Sequence, residues 1–365
     1  MRPGARHHQG GAVSAATAAA PGPRRHIVAD LGGTSLRIGR ITADGGVEAV
    51  RRVTTDGIGR PGPRPARTPQ RRVLDQLVRE LEEYLCSPDG HGASAVGLSF
   101  AGPMAKDGVV RAAPTLWGAE AEPVHVGDLL SARLGLPVLV ANDITAAAWR
   151  YAETEKEPFC LITISSGIGS KVFRHGEVLV DDQGHGGELG HWRFDPSEDA
   201  APCDCGGRGH LGAVASGRGI LRAAREAAAA DPAAFARSVL AAPAGHRPEG
   251  ITNEALARAV RTGDPFATHT LRGCLRPLAS AVNCLFTAIG IRRYLFIGGF
   301  AVAVGERFVS LLGDELVRHG CFGLDSAETR AMLALGARDD DHCLIGMGRM
   351  LERSSHLTPV LEDSV

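Results

Sequence analysis

The chain has 365 residues, of which 44% are hydrophobic, and its formal net charge is −1. This length exceeds what one hydrophobic core usually organises, so we expect two domains, and the near-neutral charge argues against nucleic acid or a strongly charged protein as a partner. No apolar run approaches the roughly 20 residues that a membrane-spanning helix needs, so we expect a cytoplasmic protein that does not bind a membrane.

Residues 1–25 are rich in Gly, Ala, Pro and Arg. Their alanine run is too weakly apolar for a secretory signal, so we predict a disordered extension, although its arginines leave a targeting role open. The chain has eight cysteines, and most of those scattered through apolar contexts are expected to be buried as small hydrophobic residues. Cys203 and Cys205 differ because they lie one residue apart in a glycine-rich loop.

The first predicted unit is a strand, a tight glycine turn and a second strand, over residues 26–41. Asp30 ends the first strand, and an acid in this place can hold a hydrated Mg²⁺. In the turn, Gly32 and Gly33 would let backbone N–H groups approach a phosphate, and Thr34 adds a hydroxyl donor. The alternative interpretation is an ordinary hairpin turn.

A helix capped by Thr68 and Pro69 follows, then a strand over 95–100, a helix over 128–134 and a strand over 137–141. The last of these strands ends at Asn142-Asp143. A carboxylate at a strand-to-helix junction can act as a general base for an attacking hydroxyl. Both residue types are also common helix caps, but open α/β sheets bind ligands at this end of their strands.

A second hairpin repeats the first pattern, with strands over 159–164 and 170–173. Its turn contains Ser165, Ser166, Gly167 and Gly169. Two such turns that face one cleft could hold a polyphosphate from both sides. The repetition also suggests a duplicated architecture.

Long alanine-rich helices are predicted at roughly 216–240, 252–261 and 265–289, and further helices at about 302–318 and 342–353. Between them, a buried strand over 294–297 runs into Gly298-Gly299. This turn could lie against a nucleotide base or ribose, or it could be a plain strand-to-helix turn. Strands that alternate with helices predict an α/β protein.

A cysteine and histidine pattern lies between the second hairpin and these helices. His191 precedes Cys203, Cys205 and His210, which together offer four ligands suited to tetrahedral zinc. Closely spaced cysteines with histidines in a cytosolic protein favour a metal over a disulfide. The alternative is a pair of solvent-facing thiols beside unrelated histidines.

The order of these elements, from about His26 to Leu351, resembles the ROK (repressor, open reading frame, kinase) family of sugar kinases and regulators. The motifs that carry the resemblance are DLGGTSLR near the start, AND at 141–143, GELGH, and CDCGGRGH. It implies a two-domain actin-like ATPase fold (ASKHA, or ribonuclease H-like) with a cleft between the domains. Residues 26–142, completed by a C-terminal helix at 340–355, would form one domain. Residues 143–339 would form the other, with a zinc loop at 191–210.

The resemblance also implies roles for these residues in an ATP-dependent kinase. Asp143 would be the catalytic base, and zinc would hold the substrate loop in shape. The acceptor would be bound by Asn142, Glu188, His191 and Thr115. ATP with Mg²⁺ would be bound by both hairpin turns and the later glycine pair, that is by Asp30, Gly32, Gly33, Thr34, Arg37, Ser165, Ser166, Gly167, Gly169, Gly298 and Gly299.

The sequence departs from the family pattern mainly on the acceptor side. His210 stands where a third cysteine is usual, Gly212 where sugar kinases carry a glutamate, and Thr115 where they carry an asparagine. The second phosphate turn also reads SSGIGSK, where Thr-Gly is more usual. Loss of polar contacts to a sugar hydroxyl changes discrimination between acceptors. The sequence is therefore similar to the C7-cyclitol kinases of natural-product pathways, whose acceptors are valienone- or valiolone-type carbocycles phosphorylated at the 7-hydroxyl.

Two other functions are compatible with the resemblance. One is a glucokinase or another hexose kinase that phosphorylates the 6-hydroxyl of its sugar. The other is a sugar-responsive regulator, but about 25 residues before His26 are too few for the DNA-binding domain that such regulators carry. A homodimer is possible for any of the three.

Overall fold

The computed structural model describes residues 25–58, 68–118 and 121–357. Apart from Arg25, the predicted N-terminal extension lies outside this range. The described chain forms twelve strands, whose bounds are β1 His26–Leu31, β2 Ser35–Ile41, β3 Val47–Thr54, β4 Ala95–Phe100, β5 Val109–Val110, β6 Val124–His125, β7 Val138–Asn142, β8 Phe159–Ile164, β9 Ile168–Arg174, β10 Glu177–Val178, β11 Arg293–Ile297 and β12 Leu333–Leu335.

Twelve α-helices connect or follow these strands in the described ranges, together with two short 3₁₀ turns, Leu189–His191 and Pro248–Gly250. The helices are α1 Pro69–Leu85, α2 Val126–Leu134, α3 Asp143–Trp149, α4 Leu211–Ala215, α5 Gly217–Ala230, α6 Pro232–Arg237, α7 Asn253–Arg261, α8 Pro265–Ile289, α9 Gly299–Val304, α10 Glu306–His319, α11 Ser326–Ala331 and α12 His342–Leu357. The predicted α/β class is confirmed.

Ten of the strands form two five-stranded sheets with the same order. The first sheet runs β3-β2-β1-β4-β7 and the second runs β10-β9-β8-β11-β12. In each sheet the three strands that come first in the chain pair antiparallel with their neighbours as a meander. The two later strands pair in parallel, one with the first strand of the meander and the other with that added strand. The duplicated architecture that the two glycine hairpins suggested is therefore confirmed by the topology. The parallel strands end at the same edge of each sheet, where α/β folds bind ligands.

Two of the predicted helices are wrong, because the structure has two shorter helices in place of each. The helix predicted at 216–240 is interrupted at Asp231-Pro232, where the Asp231 side chain accepts a hydrogen bond from the backbone N–H of Ala234 and caps a new helix. Proline in the first turn cannot continue the previous helix, because it has no N–H to donate. The helix predicted at 302–318 is divided by Gly305, whose φ of 74° lies in the left-handed region that glycine adopts without strain.

Helix α12 returns to the first sheet and covers one of its faces. Leu344, Met347 and Leu351 pack there with Val28 of β1, and all four side chains are buried. Gly97 of β4 lies beneath this helix, where an added methyl group would come 3.0 Å from a Leu351 methyl carbon. The helix also packs against α3, the helix that begins at Asp143. The exact domain boundaries at 142/143 and 339/340 stay a prediction.

No helix in the described ranges is both long and apolar enough to cross a membrane.

Candidate active site

A cavity of about 600 Å³ lies between the two sheets, a volume typical of small-ligand sites. It opens where β1, β7 and β11 end and where the β8–β9 turn approaches them. The structure brings most of the predicted site residues together in its wall, namely Asp30, Arg37, Thr115, Asn142, Asp143, Ser165, Ser166, Gly167, Gly169, Glu188, His191, Gly298 and Gly299.

Asn142 and Asp143 divide the two roles that their residue types allow. The Asn142 side-chain oxygen accepts from the backbone N–H groups of Ile144 and Thr145, at 3.1 and 3.2 Å, so Asn142 is the cap of α3. Its amide nitrogen donates to the Gly102 carbonyl and to Asp143 Oδ1. Asp143 Oδ1 also accepts from the Ile144 N–H at 2.9 Å. For Asp143 Oδ2 the structure gives no hydrogen-bond partner in the described chain, so this oxygen is available to a ligand.

The surroundings of Asp143 disfavour the ionised form of its carboxyl group. Burial is the main cause that raises its pKa to about 7, and the nearby charge of Asp30 adds to it. The hydrogen bond from the Ile144 N–H opposes this shift. A carboxyl group with such a pKa can accept a proton from a hydroxyl and release it again near pH 7.

Asp30 is fixed by two side chains at the end of β1. Its Oδ1 accepts from the Ser99 hydroxyl at 2.8 Å, and its Oδ2 pairs with the Arg37 guanidinium at 2.9 Å. Arg37 is buried in β2 and also pairs with Asp341 at 3.2 Å and Asp340 at 3.3 Å. The guanidinium thus ties Asp30 to the segment before α12. The part of the Asp30 carboxylate that faces the cavity can still hold a hydrated cation.

The first glycine turn lies beside the cavity rather than in its wall. Gly32, Gly33 and Thr34 are not among its lining residues. Gly33 packs against Thr115, where an added methyl group would lie 2.9 Å from both the Cβ and the carbonyl oxygen of Thr115. The turn therefore shapes the cavity wall at Thr115 through this contact.

The second turn and the Gly298 turn meet at the opposite wall. A Cβ at Gly298 would lie 2.5 Å from the Thr163 hydroxyl, and its φ of 92° is unfavourable for other residues. Glycine here lets the end of β11 approach the end of β8. Ser165, Ser166 and Gly167 follow β8 and project into the same space.

Glu188 is held over the cavity by a lysine that sequence analysis missed. Lys171 Nζ donates to Glu188 Oε1 at 3.2 Å and to the Gly186 carbonyl at 2.5 Å. The Lys171 side chain is only 4% exposed, whereas that of Glu188 is 60% exposed. A buried ammonium group needs such partners, so Lys171 fixes the direction of the Glu188 carboxylate.

The four predicted metal ligands converge on one point. One ligand atom each from His191, Cys203, Cys205 and His210 lies within 4.8 Å of all the others. His210 Nδ1 is 3.2 Å from Cys205 Sγ, and His191 Nδ1 is 4.0 Å from Cys203 Sγ. Tetrahedral zinc with bonds of about 2.0–2.3 Å places its ligand atoms roughly 3.3–3.8 Å apart. The set therefore fits zinc with small adjustments.

A second cavity of about 300 Å³ adjoins the first and shares Gly167, Ile168 and His191 with it. Gly212 lies in its wall, and an added methyl group there would be 3.0 Å from the Gly190 carbonyl. Because Gly212 has no side chain, this cavity stays open next to the main one.

Three further parts of the main site were not found from the sequence. Ser99 and Lys171 each hold a carboxylate, and residues 338–343 bring Arg338, Asp339 and Cys343 to the cavity. A polar residue inside an apolar strand pattern is the one signal that marks Ser99 and Lys171. The run of three aspartates at 339–341 is visible in the sequence, but its place in the cavity follows only from the fold.

Comparisons with known proteins show which family the chain resembles. The model of the ROK family matches residues 26–314. A protein named C(7)-cyclitol 7-kinase from Streptomyces hygroscopicus subsp. limoneus is 64% identical over 335 residues, 92% of this chain and 95% of the relative. Another of that name, from Streptomyces hygroscopicus subsp. jinggangensis (strain 5008), is 65% identical over 325 residues, 89% of this chain and 93% of the relative.

Solved structures give the same result for the fold. A ROK family glucokinase from Streptomyces griseus, crystallised with glucose and AMPPNP, superposes with a TM-score of 0.69 at 25% identity, covering 89% of this chain and 98% of that chain. The predicted two-domain actin-like ATPase fold is thus confirmed. By its sequence match and its fold, this chain belongs to the ROK family.

Proposed function

We propose that this protein is an ATP-dependent kinase that transfers the γ-phosphate to the 7-hydroxyl of a valienone- or valiolone-type C7-cyclitol. For the acceptor, the observation that carries the proposal is the 64% identity with a C(7)-cyclitol 7-kinase across 92% of the chain. For the chemistry, the support is Asp143, whose Oδ2 has no partner in the described chain and whose side chain faces the cavity between the two sheets.

In this mechanism Asp143 orients the primary hydroxyl of the acceptor and takes its proton as the oxygen attacks phosphorus. Asn142 holds Asp143 Oδ1 at 2.9 Å, which leaves Oδ2 directed to the hydroxyl. Glu188, fixed by Lys171, and His191 would bind the remaining hydroxyls of the ring. Thr115 would contact the ring from the side of the first turn.

The phosphates of ATP would lie against the second hairpin turn, at Ser165, Ser166, Gly167 and Gly169. The role expected for Gly32, Gly33 and Thr34, in the turn beside the cavity, stays a prediction. Gly298 and Gly299 would bound the nucleoside end. Asp30 would hold Mg²⁺, which neutralises phosphate charge when bound. Closure of the two halves around the cavity would exclude water and limit hydrolysis of ATP.

His191, Cys203, Cys205 and His210 would hold zinc as a closed structural site, with four protein ligands and no open position. Their role is to fix the segment that carries Glu188 and His191. Zinc supplies no step of the reaction in this proposal. A homodimer, a cytoplasmic location and a place in antibiotic or other natural-product biosynthesis stay predictions.

The test is an ADP-release assay with purified protein across valienone- and valiolone-type cyclitols, glucose, mannose and N-acetylmannosamine. We expect turnover of a cyclitol with a kcat/KM well above that of any hexose. The Asp143→Asn variant, purified in the same way, controls for contaminating kinases. Proton–phosphorus coupling in the spectrum of a cyclitol product identifies the phosphorylated hydroxyl, because among the phosphates a cyclitol can carry only the 7-phosphate couples to a CH₂ group.

Strong turnover of glucose without turnover of any cyclitol would replace this acceptor by a hexose, and the enzyme would then be a glucokinase. Release of ADP without a phosphorylated acceptor would contradict a kinase function for all compounds tested.

A further inference from the structure

Arg218, near the start of α5, contacts two loops that lie far apart in the sequence. Its Nε donates to the carbonyl of Ser166 at 2.7 Å, in the β8–β9 turn. Its Nη1 pairs with the carboxylate of Asp204, which stands between Cys203 and Cys205. One guanidinium therefore joins the turn proposed to bind ATP phosphates to the segment at 191–210, here termed the Cys–His loop.

The end of this bridge at the β8–β9 turn is fixed by the backbone. Ser216 caps α5 by accepting from the Gly219 N–H, and the Gly217 N–H donates to the Ser165 carbonyl at 2.7 Å. A methyl group at Gly217 would lie 2.7 Å from that same carbonyl, so the helix start is pressed against the turn. The guanidinium consequently reaches Ser166 from a defined position.

The hydrogen bond to Ser166 sets the direction of one peptide group. A trans peptide is planar, so its C=O and the following N–H point in opposite directions. When Arg218 holds the Ser166 carbonyl, the N–H of Gly167 points away from Arg218. The structure gives that N–H no acceptor within the described residues, and Gly167 lines the main cavity. Such an N–H is a donor available to a phosphate oxygen.

We propose that Arg218 is a positioning residue that couples the Cys–His loop to nucleotide binding. It orients the Ser166–Gly167 peptide for a phosphate oxygen, and Asp204 keeps its guanidinium in the orientation that does so. This inference rests on the proposed function, because it takes the β8–β9 turn as part of the ATP site.

The size of the effect is limited by solvent. The Arg218 side chain is 61% exposed and that of Asp204 is 67% exposed, so water and salt screen their attraction. The hydrogen bond from a charged donor to the Ser166 carbonyl is the stronger of the two contacts. Loss of Arg218 should therefore weaken nucleotide binding by between about two- and tenfold, and loss of the Asp204 charge by less.

The test is calorimetric titration of the full chain with ADP and Mg²⁺, for wild type, Arg218→Ala, Asp204→Asn and the double variant. We expect a higher Kd for ADP in each variant, and a double variant that binds no more weakly than Arg218→Ala alone. Arg218→Lys keeps the positive charge but cannot span both partners with one planar group, so it should fall between wild type and Arg218→Ala. The acceptor KM, the Tm and the bound zinc should stay near wild-type values.

Arg222→Ala is the matched control, since it removes the same charge one helical turn further along α5. Arg222 pairs with Glu226 and donates to the Ala213 carbonyl. It lines the second cavity, but within the described residues the structure gives it no hydrogen bond or ion pair to either loop. The inference is overturned if Arg218→Ala binds ADP as wild type does, or if Arg222→Ala weakens it equally. If the increase in the Kd for ADP in the double variant equals the product of the increases in the two single variants, Asp204 does not act through Arg218. Failure of the proposed function gives a different result: the wild type would then turn over no acceptor. The Kd values for ADP of wild type and variants can still be compared, because they need no acceptor.

Discussion

Replacement of Asp143 by Asn should have opposite effects on catalysis and on stability. The asparagine is nearly isosteric but cannot take a proton, so kcat should fall by about 10²- to 10⁴-fold. The Kd for ADP should change little, because Asp143 faces the acceptor. At the same time the variant lacks a carboxylate whose ionisation the folded protein disfavours.

The size of the stability effect follows from the raised pKa of Asp143, from 3.8 to about 7. The folded state binds this proton more tightly than the unfolded state. The free energy of unfolding of the wild type therefore falls as the pH rises from below 3.8 through 7, by at most about 4 kcal/mol. About 2 kcal/mol of this fall lies between about pH 5.5 and about pH 8.

Urea unfolding of both proteins at these two pH values measures the effect. We expect the stability advantage of Asp143→Asn to be larger at the higher pH by about 2 kcal/mol. In the wild type, kcat/KM for the acceptor should rise with pH through about 7 as the base loses its proton. An advantage that does not depend on pH would refute the assigned pKa, and a variant with near-normal kcat would refute the role as base.

Three further predictions concern packing, metal and acceptor. Gly346→Ala should lower the free energy of unfolding by more than about 3 kcal/mol, because the new Cβ would lie 1.7 Å from a backbone carbonyl oxygen of α3. Gly273→Ala in α8 is the control: its new Cβ would have no atom within 4 Å, so urea unfolding should show a neutral or stabilising effect. Mass spectrometry should find one zinc ion per wild-type chain and none in Cys203→Ser, whose Tm should also fall. Replacement of the exposed Cys284 by Ser should leave both the zinc content and the Tm at wild-type values. The same zinc content in Cys203→Ser and wild type would contradict the proposed zinc site. Gly212→Ala should raise the acceptor KM by about tenfold without changing the Kd for ADP, since the methyl group would be 3.0 Å from the Gly190 carbonyl oxygen in the first 3₁₀ turn. An unchanged acceptor KM would show that Gly212 is not part of the acceptor site.

The sequence predicted the parts of the site that consecutive residues form. Both glycine hairpins, the strand end at Asn142-Asp143 and the Cys–His spacing are local patterns. The repeated sheet topology brings the second turn and the strand end at Asn142-Asp143 to the main cavity, places the first turn beside it, and places Cys203 and Cys205 in the wall of the second cavity. The sequence could not decide which of Asn142 and Asp143 caps α3, because both residue types accept from backbone N–H groups. Only the geometry leaves Asp143 with an available oxygen.

The remaining parts depend on contacts between distant residues. Ser99 holds Asp30 from a position 69 residues further along the chain. Arg37, expected at the phosphates, lines the cavity and pairs with three carboxylates, two of them just before α12. No local period encodes such partners, since they meet only after the last helix has packed. The break at Asp231-Pro232 was a local signal, but the alanine-rich pattern continued across it.

The packing of α12 on the first sheet has a consequence for the order of folding during synthesis. The ribosome produces β1 first among the described elements and α12 last. Until the final turns leave the exit tunnel, Val28 and its neighbours on that face lack the leucine and methionine side chains that cover them. The nascent N-terminal half therefore exposes an apolar sheet face until α12 has been synthesised, and chaperones can recognise it. A chain that stops before α12 would keep this face exposed, which makes premature termination a route to aggregation rather than to a smaller folded protein.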